Sequence, residues 1–164
     1  MAKALKPVQM RTYFALTEAV SLLQYAVREQ LQAEGGLSYV QFEVLAKLVD
    51  ADRPLTMTEL ADGVVYSRSG LTHQAGILED AGLIARQIST HDKRSTVVAI
   101  TKAGRARVAK VLPGHVEVVR ELLYGSLSEQ DVHTLGDIMS RVRDHMRGLP
   151  PRSAAPRNRN ASAR

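Results

Sequence analysis

Apolar residues recur every three or four positions along the first part of the chain. Leu16, Val20, Leu23, Val27 and Leu31 fall on one stripe, which predicts a helix from about Pro7 to Glu34. Gly35-Gly36 ends it, because glycine accepts the left-handed conformation that a helix terminus favours. Ser38 with Gln41 three residues on makes a capping box for a second helix, buried through Phe42, Leu45 and Val49. Asp50-Ala51-Asp52-Arg53-Pro54 breaks that helix. Thr56-Met57-Thr58-Glu59 is another capping box and opens a short helix through Leu60, Ala61 and Val64. Ser67 caps the next, from Arg68 to Asp80. Its Leu71, Ala75 and Leu78 share one face, while Arg68, Ser69, Thr72, His73 and Gly76 share the other. Gly82 closes it.

The helical period then ends. Leu83 to Ser89 and Thr96 to Ile100 are runs of strand length, joined by the polar Thr90-His91-Asp92-Lys93-Arg94-Ser95, and together they predict a β-hairpin. A lone hairpin is marginal in water, so it must lean on the helices before it. Thr101 caps a long helix reaching about Tyr124, with Val108, Val111, Leu112, Val119 and Leu122 apolar and a kink expected at Pro113-Gly114. Ser128 starts a last helix. Its Val132, Leu135, Met139, Val142 and Met146 make a heptad-like seam, the pattern of a helix running along a partner helix. Residues 148–164 turn to Pro, Arg, Ala, Ser and Asn and read as a disordered basic tail.

Charge sharpens this picture. The 164 residues carry a net +5, distributed unevenly. Residues 1–65 hold six Lys/Arg against eight Asp/Glu, residues 66–110 eight against three, and residues 111–147 four against six. The tail holds four Arg and no acid. The folded part thus keeps its positive charge in the middle block, which points to a polyanion surface. Cysteine is absent, which excludes disulfides and thiolate chemistry. No apolar run has the length of a membrane span and no secretory leader opens the chain, so the expectation is a cytoplasmic protein without a membrane partner. The five histidines show no His-x-x-x-His pair, and no P-loop, G-x-S-x-G or H-E-x-x-H motif occurs. No enzyme and no cofactor is expected.

The short helices at about 56–63 and 67–80 have the form of a helix-turn-helix, whose second helix enters the major groove of DNA. Its outer residues suit that task. Arg68 forks onto guanine or phosphate, Ser69 and Thr72 meet several base edges, and His73 and Gln74 add donors. The hairpin tip supplies Lys93 and Arg94 to an adjacent minor groove, where the negative potential is deepest, with Asp92 fixing the turn.

These residues resemble the MarR family, the multiple antibiotic resistance regulators. The likeness is carried by Ser67-Arg68-Ser69-Gly70-Leu71-Thr72 and by Leu78-Glu79-Asp80-Ala81-Gly82-Leu83-Ile84. Asp92-Lys93-Arg94 and Ile100-Thr101-Lys102-Ala103-Gly104 complete it. The resemblance implies a mainly α fold with a small β-hairpin wing. In it, residues 38–104 form a winged helix-turn-helix domain, residues 1–35 and 105–147 a helical dimerisation region, and 148–164 a tail. It implies a homodimer on a palindromic operator, usually a repressor, released by a small aromatic or anionic effector bound between the two regions. Tyr25, Arg28, Tyr39 and His115 are the candidate effector residues. The sequence departs from the family at His73 and Ile77, where basic residues are frequent. That leaves a second reading, a winged-helix protein–protein module with weakened DNA binding.

Overall fold

A computed structural model describes residues 4–64, 67–88 and 96–149. Its elements run α1 (Pro7–Gly35), α2 (Tyr39–Ala51), β1 (Leu55–Thr56), α3 (Met57–Val64), α4 (Arg68–Asp80), β2 (Ile84–Ile88), β3 (Thr96–Ile100), α5 (Lys102–Val119) and α6 (Glu129–Arg147), with one π turn, Arg120–Tyr124, after α5. The chain divides into two units, one ending at Leu123 and the other starting at Tyr124. No described helix is long and apolar enough to cross a membrane.

In the first unit the expected helices form where their caps lie. Gly36, at φ 60°, ends α1 in the left-handed conformation, and its N–H and that of Leu37 bond back to Gln32 and Leu31. Gly35 has a different task. A Cβ there would run into Val111, so the missing side chain lets α1 and α5 cross closely. Arg107 of α5 donates to the Gly35 carbonyl at 2.6 Å, and Gln30 of α1 donates to the Val111 carbonyl at 2.9 Å. The core is aliphatic: Val27 and Leu31 of α1, Val44, Leu45 and Leu48 of α2, Leu60, Leu71 and Leu78 of the next two helices, and Val108 and Val111 of α5 are buried. Leu16 and Val20, on the same stripe as Val27 and Leu31, are exposed.

The predicted hairpin is two-thirds of a three-stranded antiparallel sheet, ordered β1-β3-β2. Leu55 and Thr56 pair with Val98 and Val97, which puts β3 in the centre. The strand leaves no run of strand length in the sequence because it has only two residues, one of them the cap of α3. It answers the need of a marginal hairpin for support: Leu55 and Val98 are both buried. The helix runs on through Pro113, and the departure from α geometry falls later, at Arg120–Tyr124. Gly114 is needed for space, since a Cβ there would meet the Glu34 carboxylate and the Gln30 amide.

In the second unit, Ser128 caps α6 as expected. Its hydroxyl accepts from the Asp131 N–H, and the Asp131 carboxylate accepts from the Ser128 N–H at 3.0 Å. No α6 residue is buried. Along the predicted seam Leu135 and Met139 are half-buried, while Val142 and Met146 are exposed.

Candidate nucleic-acid interface

The candidate surface is built from the inside of α4 outward. The Ser67 hydroxyl accepts from the Gly70 N–H at 3.2 Å and starts the helix, and Leu71, Ala75 and Leu78 fix its rotation by burial. That register leaves Ser69, Thr72 and His73 exposed on one side, with Ile77 also exposed. Gly76 leaves open space beside its Cα. Ahead of α4, α3 is held by a reciprocal cap. The Glu59 carboxylate accepts from the Thr56 N–H at 2.7 Å, and the Thr56 hydroxyl accepts from the Glu59 N–H at 3.1 Å. Arg53 adds an ion pair to Glu59 at 2.8 Å. The hydrogen bond from Arg53, then those from Thr56, pull the Glu59 carboxyl down to about 2.

The sheet is aimed by a junction that joins two of the motifs quoted above. The Glu79 carboxylate accepts from the Arg86 backbone N–H at 3.1 Å and from its Nε at 2.6 Å, tying the end of α4 to β2. These same bonds hold the Glu79 carboxyl below its ordinary value. Thr101 closes the other side. Its hydroxyl donates to the Gly82 carbonyl at 2.7 Å and accepts from the Gly104 N–H at 3.0 Å, while its own N–H donates to the Leu83 carbonyl. A Cβ on Gly104 would strike the Leu83 carbonyl, so only glycine lets α5 start this close to the turn. α4 and the two long strands therefore meet at one fixed corner.

The remaining predicted DNA contacts divide. The Arg68 side chain and the wing-tip residues Asp92, Lys93 and Arg94 lie outside the described residues. Gln74 stands apart from its neighbours. It is half-buried, and its carbonyl oxygen accepts from the Gln41 amide of α2 at 3.2 Å. The signal was present in the register: Gln74 lies three residues after Leu71 and four before Leu78, next to the buried stripe.

Between α1, α2 and α4 lies a cleft of about 440 Å³ whose lining includes Arg28, Gln32, Ser38, Tyr39 and Gln74. It brings together Arg28 and Tyr39 of the four expected effector residues. Tyr25 is 67% exposed, and His115 packs its ring against Phe42 with centroids 4.7 Å apart; neither is part of the lining. Burial, reinforced by the neighbouring Glu43 carboxylate, pushes the Tyr39 phenol above its ordinary value, so Tyr39 is a neutral donor at physiological pH.

The family model for the MarR family matches residues 37–96, the stretch from the α1–α2 turn to the start of β3. The transcriptional repressor YetL of Bacillus subtilis is 32% identical over 120 residues, which is 71% of this chain and 72% of that protein. The chain belongs to the MarR family. The MarR-family regulator Sco3205 of Streptomyces coelicolor, solved in complex with DNA, superposes with a TM-score of 0.84 at 31% identity. The match covers 94% of this chain and 96% of that one. AbsC from the same organism gives 0.83 at 27% identity, over 90% of this chain and all of that one. This MarR-family protein is a DNA-binding transcriptional regulator rather than an enzyme, with the mainly α winged-helix fold expected of it.

Proposed function

We propose that this MarR-family protein acts as a homodimeric repressor on a palindromic operator and is released by a small aromatic or anionic effector. The observation that carries the reading is the exposed edge of α4, Ser69, Thr72 and His73, held rigid by buried leucines behind it and by the Glu79–Arg86 and Thr101–Gly82 bonds beside it. A rigid polar helix edge next to a sheet corner is what major-groove reading needs. Arg68 adds a guanine or phosphate contact, and Lys93 and Arg94, steadied by Asp92, reach the minor groove.

Dimerisation is supported by apolar side chains left uncovered. On α1, Phe14, Leu16 and Val20 are exposed, and on α6, so are Ile138, Val142 and Met146. Solvated apolar stripes of this size ask for a partner, and a second copy supplies the twofold symmetry of a palindrome. The two reading helices must then stand about 34 Å apart to meet successive major grooves. A small molecule in the cleft beside Arg28 and Tyr39 shifts the population towards a different spacing, as far as it prefers that state, and both half-sites weaken together. The Arg28 cation suits a carboxylate or phenolate, and the flanking Leu37 and Val40 suit a ring.

Selection of bound sites from random duplex tests the reading directly. The expected result is a twofold-symmetric site preferred by at least ~10³ over random sequence, with a steep loss of affinity as salt rises. Arg94→Ala should weaken that site about tenfold or more. An unchanged affinity across the salt series would remove the wing from the interface.

A further inference from the structure

Gln74 sits on the reading helix but not on its reading edge. Successive residues of an α-helix are turned by about 100°, which sets Gln74 about 140° from the centre of the edge formed by Ser69, Thr72 and His73 and only about 40° from the buried Leu78. Its amide is engaged on α2. Gln41 there uses both ends of its side chain: Oε1 accepts the Ser38 N–H at 2.9 Å and so completes the α2 cap, while Nε2 donates to Gln74 Oε1 at 3.2 Å. Reading adenine takes a glutamine's carbonyl and amino groups together. With the carbonyl committed to Gln41 and the side chain half-buried, that pair is not on offer. Among the described residues Gln74 is also the α4 residue that lines the cleft holding Arg28 and Tyr39.

We infer that Gln74 is a positioning residue. Through Gln41 it ties the reading helix to the start of α2 and sets the pose in which Ser69, Thr72 and His73 meet the groove. A molecule in the cleft touches the reading helix at this amide. The inference rests on the reading of α4 as the DNA-binding helix.

Five full-length variants test it: Gln74→Ala, Gln41→Ala, their combination, Ser38→Ala and Gln41→Glu. Each is put through selection of bound sites from random duplex, titration of the selected operator and thermal unfolding. The two single substitutions should each weaken the operator about three- to tenfold, the range of one neutral hydrogen bond. The double variant should be no weaker than the worse single one, because the same bond is lost in all three. The preferred base at every operator position should stay as in the wild type. Ser38→Ala removes the cap but spares the tether, so it should lower the melting temperature without matching the loss of affinity. Gln41→Glu keeps an acceptor for the Ser38 N–H and offers one to the turned Gln74 amide, and it should restore affinity towards the wild type. Loss of one base preference in Gln74→Ala overturns the inference and makes Gln74 a base reader. So does a Gln41→Ala variant that binds like the wild type, or two singles whose losses add. A wild-type chain that selects no duplex overturns the parent reading, and this one with it.

Discussion

Along α1 the same spacing of apolar residues meets two fates. Val27 and Leu31 are 2% and 0% exposed, covered by α2 and α5, whereas Leu16 and Val20, further up the same stripe, are 41% and 43% exposed. The covered half is crossed at close range because Gly35 and Gly114 carry no side chain, and it is pinned by Arg107 on the Gly35 carbonyl and Gln30 on the Val111 carbonyl. The uncovered half carries Tyr13 and Phe14 as well, tilted against each other 5.5 Å apart and both exposed. Periodicity therefore announces a face that must be covered. It does not say whether the same chain or another copy covers it.

The largest effect separates the two halves by stability. Leu31→Ala should cost ~2–5 kcal/mol in urea unfolding, because it empties a closed site. Leu16→Ala, measured at dilutions that keep the chain monomeric, should stay within ~0.5 kcal/mol. Equal losses would mean that the chain covers its own stripe throughout, and the contrast would vanish.

The next effect separates the halves by association. Leu16→Glu combined with Val20→Glu places two charges in the uncovered half and leaves the buried core untouched. If a second copy covers this face, the loss should reach ~2 kcal/mol, about thirtyfold in the dimer dissociation constant. Sedimentation velocity across a concentration series reads it, with melting of the winged unit as the control. A wild type that sediments as a monomer at every concentration breaks the dimer proposal outright.

How far the sequence reaches follows the same line. Caps and stripes were legible because they are local: Ser38, Thr56, Ser67, Thr101 and Ser128 all start helices where the pattern places them. The two-residue strand Leu55–Thr56 was not, since its pairing with β3 is a contact between residues some forty apart and leaves no period. The outer edge of α4 was legible from spacing. The inward turn of Gln74 needed its partner Gln41, thirty-three residues away, to become visible. Of the effector candidates, the cleft joins Arg28 and Tyr39 and omits Tyr25 and His115, because composition names residue types but not which helices share a corner. Glu79 and Thr101 were visible as motif letters, and only the folded corner, with Arg86 on β2, gives them their task.

The smallest effect is read on α5, the helix that crosses the covered half. His115 of α5 lies with its ring tilted 47° on Phe42 of α2, and among the described residues its Nδ1 is buried with no hydrogen-bond partner. Burial holds the imidazole below its ordinary 6.5. The sign follows from proton counting. As pH falls through 6.5 the unfolded chain takes up the proton first, so it binds more protons than the folded one and stability drops. The decline ends once the folded imidazole also titrates, and one group limits the slope to at most ~1.4 kcal/mol per pH unit. Urea midpoints at pH 7.5 and 5.5 should therefore separate more in the wild type than in His115→Gln, which keeps a polar side chain but has nothing to titrate. Equal separations would assign the acid sensitivity to another group and leave the α1–α2–α5 seam indifferent to pH.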